Sequence, residues 1–259
     1  MALAHLHYWS PALQKQCGMF VAMPDAASKP RPVVYLLHGL SDDHTMWQRR
    51  SSIERYAERC GLIVVMPDGA RSFYTNAADG SGNYEQHILD SIAYVERTLH
   101  CRSDRAARGI GGLSMGGYGA LKIALKHPEL FSSVAIHSAP LDIDKCRISK
   151  DRKSLFNRVF GPAITPTEDC FALVRKLKRM KTRFPRLRID CGTEDGLIGH
   201  NDRMHALLKQ LGVEHHYGTP PGGHDWEYWD LHVQSALEFH RDTFAGISRR
   251  VSHRRRAKA

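Results

Sequence analysis

The sequence predicts an α/β fold in which a mostly parallel β-sheet is covered by helices on both faces. Short runs of β-branched residues alternate with segments of helical periodicity along most of the chain. Several of these runs are apolar throughout, which is typical of strands buried on both faces. The chain has 259 residues, of which 42% are hydrophobic and 25% charged, an ordinary balance for one globular domain with a sizeable core.

The strands and helices follow one another in the order that such a fold requires. Residues 33–38 and 62–66 are continuous apolar runs that predict the first two strands, and a helix over 52–60 separates them. Apolar residues recur at helical spacing from Ile88 to Leu99, which predicts a helix over 85–99. The same criteria predict further strands over 109–113, 133–137, 187–191 and 213–217, and helices over 115–126, 201–211 and 226–244.

Residues 139–183 interrupt this alternation. They contain two predicted helices, near 152–160 and 167–181, and we expect them to form a small cap insertion. No internal repeat and no second hydrophobic core is evident. The predicted organisation is therefore a single domain over 1–248 with a basic, disordered tail over 249–259.

The net charge of +10 does not predict a nucleic-acid partner. Residues 249–259 contribute six of the ten charges, and eight basic residues fall within 175–188, where apolar positions at helical spacing mark the charges as a solvated face. A single aromatic residue, Phe184, falls among them, which is fewer than a base-stacking surface needs. No apolar run approaches the ~20 residues that a membrane span needs, so we expect no membrane partner.

The cysteines and the first residues of the chain favour a cytoplasmic protein. The opening ten residues lack a basic segment followed by an apolar stretch, so no secretory signal is expected. Six cysteines are sparse in 259 residues and form no CxxC pair. We therefore expect free thiols rather than disulfides.

A candidate nucleophile, Ser114, lies in a G-x-S-x-G pattern with Gly112 and Gly116. The pattern follows a predicted strand and opens a predicted helix, which is the context of a nucleophile elbow. The turn leaves no room for a Cβ two residues before or after the serine, and both positions are glycine. A phosphate-binding loop is disfavoured because the site is in the middle of the sheet and lacks the lysine.

A serine nucleophile needs a base and an acid. When the serine lies on such an elbow, the acid (Asp or Glu) comes next along the chain and the histidine base comes last. Asp195 follows the strand over 187–191 and is the favoured acid; Glu194, Asp142 and Asp144 remain alternatives. His224 is the favoured base among sixteen histidines because it occupies a Pro/Gly-rich loop between the last strand and the last helix. Asp225 beside it is interpreted as the helix N-cap.

Two backbone amides complete the predicted site. The N–H of Met115 begins the helix after the nucleophile, and Gly39 lets the chain bend after its strand so that the N–H of Leu40 points inward. Together they predict an oxyanion hole. His5 and His7 share one strand face but lack a third ligand, so neither a metal nor a cofactor is expected.

Five blocks in order make the sequence similar to the putative-esterase family of α/β-hydrolases: LLHGLSDDHTMW (36–47), VVMPDGARSFYTN (64–76), GLSMGGYGALK (112–122), CGTEDGL (191–197) and GGHDWEYW (222–229). The resemblance covers nearly the whole chain and is closest to the tributyrin-esterase branch. It implies an α/β-hydrolase fold with Ser114, Asp195 and His224 as the triad and the amides of Leu40 and Met115 as the oxyanion hole. It also implies that Trp47 and the loop over 72–74, including Phe73 and Tyr74, line the acyl or alcohol pocket.

The resulting prediction is a serine carboxylesterase that hydrolyses short-chain aryl, alkyl or acetylated-sugar esters through an acyl-enzyme. An S-formylglutathione hydrolase-type thioesterase and a feruloyl esterase are the alternatives within the family. A non-catalytic binding protein is supported only by the net charge. The expected partner is a small ester, and a homo-oligomer is left open.

Overall fold

The computed structural model describes residues 1–25, 29–148 and 152–247. A sheet of eight strands lies at its centre, in the order β1-β2-β4-β3-β5-β6-β7-β8. β1 pairs with β2 and β2 with β4 in antiparallel fashion, and the other neighbours are parallel. The strands are β1 (Ala2–Ser10), β2 (Lys15–Met23), β3 (Val33–Leu37), β4 (Ile63–Pro67), β5 (Arg108–Leu113), β6 (Ser133–His137), β7 (Arg186–Asp190) and β8 (His215–Gly218).

Helices cover both faces of the sheet, as predicted for strands that are apolar throughout. In β3, Val33 and Tyr35 face the larger core cluster, whereas Val34 and Leu36 face the smaller one. The larger cluster packs against α3 (Tyr84–Thr98), α4 (Met115–Lys126), α5 (Lys153–Phe160), α6 (Cys170–Arg179) and α7 (Ile198–Gln210). The smaller one packs against α1 (Met46–Arg50), α2 (Ile53–Cys60) and α8 (Trp226–Phe244).

The predicted α/β class and all the predicted strands and helices are confirmed, with boundaries that differ by up to three residues. The hairpin β1–β2 was not predicted, because an antiparallel hairpin breaks the strand–helix alternation on which the prediction rested. The short helix α1 was not predicted either. Within 139–183 the structure contains α5, α6 and a 3₁₀ helix over Ile143–Ile148; its role as a cap stays a prediction. The predicted tail, 249–259, lies outside the described residues.

No helix within the described residues is both long and apolar enough to cross a bilayer. All six cysteines are free thiols, as the sequence predicted.

A buried cluster of ionised side chains ties α3, α4 and the segment before α6 together. Lys122 of α4 is fully buried, and its Nζ lies 2.6 Å from Glu168 Oε2 and 3.1 Å from Glu85 Oε2. The same ammonium donates to the carbonyl of Tyr74 at 2.9 Å and to Thr75 Oγ1 at 2.6 Å. A buried charge needs such a set of partners. Lys122 therefore fixes the loop that precedes α3 against the helix that follows Ser114.

Glu85 balances the two lysines of this cluster. Lys126 Nζ lies 2.6 Å from Glu85 Oε1, and His127 Nε2 is 3.9 Å away. Burial raises the pKa of Glu85, but the nearby His127, the hydrogen bond from Lys126 and the charge of Lys122 outweigh it and lower the pKa to about 2. The carboxylate stays ionised well below its ordinary range.

We expect this cluster to make the protein sensitive to acid. The pKa of Glu85 is lower in the folded chain than its ordinary value of 4.5, so the ionised carboxylate stabilises the fold above that value and loses this effect as the pH falls toward 2. Between about pH 5 and pH 2, the free energy of unfolding of the wild type should fall by on the order of 3 kcal/mol more than that of Glu85→Gln. Denaturant melts across this range check it.

Glu129→Gln is the matched control, because its carboxylate is 65% exposed. It should leave the pH dependence of stability close to that of the wild type. Equal slopes in the wild type and Glu85→Gln would contradict the role given to this carboxylate.

Candidate active site

Ser114 stands on a sharp turn between β5 and α4. Its backbone has φ 50° and ψ −120°, a strained conformation for a residue with a side chain. A Cβ on Gly112 would lie 2.7 Å from the carbonyl oxygen of Leu37, and one on Gly116 would lie 2.6 Å from that of His38. The two glycines therefore let the start of α4 approach the end of β3, as the elbow pattern predicted.

The structure brings Ser114, His224 and Asp195 into one chain of hydrogen bonds. His224 Nε2 lies 3.0 Å from Ser114 Oγ, and His224 Nδ1 lies 2.8 Å from Asp195 Oδ2. These distances are within the reach that proton transfer between a nucleophile and its base requires. Three residues that are distant in the sequence therefore meet at the carboxyl ends of β5, β7 and β8.

Asp195 is 2% exposed and its carboxylate has several donors. Besides His224, the backbone N–H of Leu197 donates to its Oδ1 at 2.8 Å. Burial raises the pKa of Asp195, but the hydrogen bonds from His224 and from the N–H of Leu197 help to outweigh it, so the pKa lies below its usual value. Asp195 is therefore a carboxylate throughout the neutral range and can stabilise a proton on His224.

The alternative acids lie elsewhere. Asp142 is paired with Arg203 at 2.9 Å and with Lys145 at 3.0 Å. Glu194 and Asp144 are exposed, and neither forms an ion pair with His224 among the described residues. Asp225 accepts the N–H of Tyr228 at 2.9 Å and is the N-cap of α8, as predicted.

Leu40 and Met115 line the same cavity as Ser114 and His224. Met115 is the first residue of α4, whose N-terminus carries partial positive charge. The bend at Leu40 is held by Asp42, which accepts the N–H of Gly39 at 3.1 Å. Neither amide donates to another group within the described part of the chain. Both are therefore free to donate to a substrate oxygen.

The cavity has a volume of about 1280 Å³ and mixed chemistry. Three of the lining side chains are aromatic and two are cationic. The aromatic ones are Phe73, Trp226 and Trp229, and the cations are Arg71 and Arg152.

Trp47 and Tyr74 do not line this cavity, contrary to the expectation that they contact substrate. Trp47 is 1% exposed and donates from Nε1 to the carbonyl of Leu37 at 3.1 Å. Tyr74 is fully buried and donates to the carbonyl of His38 at 3.0 Å. These are the two carbonyls that press against Gly116. Both side chains therefore support the backbone of the elbow through hydrogen bonds to the strand end that it packs against.

Several cavity residues were missed by sequence reasoning. Trp226 and Trp229 are three apart on α8 directly after His224, a helical spacing that could have indicated one shared face. Phe73 lines the cavity as expected for the loop over 72–74. Arg71 and Arg152 gave no signal, because exposed arginines are common on any surface.

No group of three or more histidines, cysteines or carboxylates within residues 1–25, 29–148 and 152–247 is placed to hold a metal ion. His5 instead contacts His44, with their Nε2 atoms 2.9 Å apart.

Comparison with known proteins gives a consistent answer. The family model described as a putative esterase matches residues 10–240. An acetyl esterase from Caldicellulosiruptor saccharolyticus is 30% identical over 92% of this chain and 98% of its own length. The structure of fluorophosphonate-binding serine hydrolase F from Staphylococcus aureus superposes on this chain with a TM-score of 0.88 and 30% identity. The match covers 93% of this chain and 98% of that one.

An S-formylglutathione hydrolase from Staphylococcus aureus is also similar, with a TM-score of 0.82 and 30% identity over 93% of this chain and all of that one. These relatives do not distinguish the branches of the family, so the tributyrin-esterase branch stays a prediction. The match over residues 10–240 shows that the chain belongs to the putative-esterase family of α/β-hydrolases and is a carboxylesterase.

Proposed function

We propose that this carboxylesterase hydrolyses short-chain acyl esters through an acyl-enzyme on Ser114, with His224 as the base and Asp195 as the acid. The observation that carries the proposal is the continuous chain of hydrogen bonds from Ser114 Oγ through the imidazole to the buried carboxylate. Ordinary surface histidines do not connect a serine on a strained turn to a carboxylate that is 2% exposed.

Each group has one role in the reaction. Ser114 Oγ attacks the ester carbonyl carbon while His224 Nε2 takes its proton, and Asp195 stabilises the resulting imidazolium. The negative charge on the carbonyl oxygen is accepted by the amides of Leu40 and Met115. When the C–O bond of the alcohol breaks, His224 returns the proton to the leaving oxygen. A water then repeats both steps on the acyl-enzyme and releases the carboxylic acid.

The wall of the cavity supports a short acyl chain. Phe73 lines the cavity, and its ring packs on Phe156 and Phe160 of α5 with centroids 5.1 and 5.5 Å apart. Both rings of α5 are buried behind it. This packed aromatic cluster closes one side of the cavity. A long acyl chain of the substrate therefore has no apolar channel in that direction.

A thioesterase acting on S-formylglutathione is the second candidate. A hydrolase of this kind aligns over its whole length with this chain, and Arg71 and Arg152 on the cavity could pair with the carboxylates of a glutathione group. A high kcat/KM on S-formylglutathione, together with a low one on neutral acetyl esters, would favour it over the first candidate. The free thiols support a cytoplasmic location for either activity.

Ser114→Ala should abolish ester hydrolysis. Loss of the nucleophile from a triad lowers kcat by about 10⁴–10⁶-fold. Because Ser114 is only partly buried, the variant should keep its fold, which far-UV circular dichroism and Tm can verify. More than a few per cent of the wild-type kcat on p-nitrophenyl acetate would rule out this triad.

Asp195→Asn should lower kcat by about 10²–10⁴-fold, because a neutral amide cannot stabilise the imidazolium. Glu194→Gln and Asp144→Asn are the matched controls, since each removes one carboxylate from a position that the sequence left open. Steady-state rates of the three variants should separate Asp195 from the other two. A large loss in either control, with a small one at Asp195, would assign the acid elsewhere.

The wild type should prefer C2 to C4 acyl chains in a p-nitrophenyl ester series from C2 to C12. Phe73→Ala should raise the ratio of kcat/KM on C8 to that on C4 several-fold, because it opens space toward Phe156 and Phe160. Leu89→Ala, a change on α3 at a residue outside the cavity lining, should leave the ratio as it is. A wild-type optimum at C12 would contradict the closed wall.

A further inference from the structure

Two loops carry the proposed acid and base, and they run side by side. The acid loop covers residues 191–197, between β7 and α7, and the base loop covers residues 219–225, between β8 and α8. Two backbone hydrogen bonds of 3.0 Å join them, from the N–H of Thr193 to the carbonyl of Pro220 and from the N–H of Glu194 to that of Gly222. The position of the base relative to the acid therefore depends on how these two loops pack.

Gly222 of the base loop is packed against two neighbours. A Cβ on Gly192 in the acid loop would collide with the carbonyl oxygen of Gly222. A Cβ on Gly222 itself would lie 2.6 Å from the ring of Tyr228, and the φ of Gly222 is 135°, a conformation that favours glycine. The ring of Tyr228 therefore packs closely on the base loop at a residue that is bonded to the acid loop.

The hydroxyl of Tyr228 is anchored to the strand that leads into the acid loop. Tyr228 lies in the first turn of α8 and is 3% exposed. Its hydroxyl donates to Asp190 Oδ1 at 3.0 Å. Asp190 is the last residue of β7, so the residue after it begins the acid loop. The side chain of Tyr228 thus packs on one loop and is bonded to the origin of the other.

Asp190 is a firm anchor because it is a buried carboxylate. It is 1% exposed, and His137 Nδ1 lies 2.7 Å from its Oδ1. Burial raises the pKa of Asp190, but the contact with His137 and the charge of Arg188 outweigh it, so the pKa lies below its usual value. Hydrogen bonds to an ionised acceptor are about twice as strong as those between neutral groups.

We propose that Tyr228 is a positioning residue that clamps the base loop onto the acid loop and thereby sets the hydrogen bond between His224 Nδ1 and Asp195 Oδ2. The inference rests on the proposed triad. That hydrogen bond is 2.8 Å long and crosses from one loop to the other. Without the hydroxyl of Tyr228, its ring is free to shift away from Gly222, and the base loop loses its support. The imidazole is then aligned less well with both Asp195 and Ser114.

Tyr228→Phe is the decisive variant, because it keeps the ring that packs on Gly222 and removes only the hydroxyl. A displacement of about 1 Å can cost about 100-fold in rate, and the phenylalanine ring retains part of the packing, so we expect kcat on p-nitrophenyl acetate to fall by about 5- to 20-fold. KM should stay within about twofold. The rate at which a fluorophosphonate labels Ser114 should fall by a similar factor to kcat, since labelling also needs the base.

Tyr8→Phe is the matched control. Tyr8 is 4% exposed, and its hydroxyl lies 2.6 Å from Ser91 Oγ and 3.0 Å from His87 Nδ1. It belongs to β1 and does not line the cavity. Loss of its hydroxyl should lower Tm, as should loss of the Tyr228 hydroxyl, but kcat and the labelling rate should stay within about twofold of the wild type. Equal losses of kcat in the two variants would show general loosening of the fold and overturn the proposal.

Asp190→Asn tests the same contact from the acceptor side. The amide has the shape of the carboxylate but no charge, so it holds the hydroxyl of Tyr228 less strongly. It should lower kcat several-fold, and the double variant with Tyr228→Phe should be no slower than the slower single variant, because both changes act on one hydrogen bond. If Tyr228→Phe fails to fold, Asp190→Asn decides: a several-fold loss of kcat supports the proposal, and an unchanged kcat overturns it.

A kcat within about twofold of the wild type in Tyr228→Phe overturns the role of Tyr228. Ser114→Ala, measured in parallel, reports on the triad separately. Activity that survives Ser114→Ala overturns the proposed function, whereas loss there with full kcat in Tyr228→Phe overturns only the positioning role.

Discussion

The close approach of the start of α4 to the end of β3 is the constraint on which the site depends. It is set by the absence of side chains at Gly112 and Gly116, since a Cβ at either position would collide with the carbonyls of Leu37 or His38. The approach brings the amide of Met115 to the cavity that the loop after β3 also lines. Trp47 and Tyr74 secure it by donating to those two carbonyls.

Buried polar side chains extend this support into the surrounding loops. Lys122, in the helix that Ser114 opens, donates to the carbonyl of Tyr74 and pairs with Glu168 next to α6. The nucleophile helix, the loop that carries Phe73 and the segment before α6 are thereby joined through one ammonium group. On the other side of Ser114, the end of β6 joins the nucleophile turn to the end of β7, because the carbonyl of His137 accepts the N–H of Ser114 and the N–H of Ser138 donates to the carbonyl of Asp190. These hydrogen bonds fix the groups around Ser114 before any substrate arrives.

The fold and the chemistry-bearing residues could be predicted from the sequence because their signals are local. An apolar run such as 33–38 marks a doubly covered strand, and glycines two residues on either side of Ser114 mark the turn. The meeting of Ser114 with His224 and Asp195 was predicted from their order in the chain and from the place of each one after a predicted strand. The hairpin β1–β2 was not predicted in the same way, because its antiparallel strands follow each other directly and break the strand–helix alternation on which the prediction rested.

The residues that surround the site could not be predicted from the sequence, for a different reason. Trp47 and Tyr74 belong to the same motif blocks as the predicted catalytic groups, yet the direction of an aromatic side chain is set by tertiary packing. Both rings point into the protein, whereas Phe73, directly before Tyr74, reaches the cavity.

The central claim is that Ser114 is the nucleophile, activated by His224. The most direct measurement is mass spectrometry of peptides from the intact protein after brief exposure to a fluorophosphonate, which bonds covalently to activated serines. We expect one phosphonyl adduct, on the peptide that contains Ser114, and a sharply slower formation of that adduct in His224→Ala. An adduct confined to another serine, or labelling of Ser114 at the same rate without His224, would contradict it.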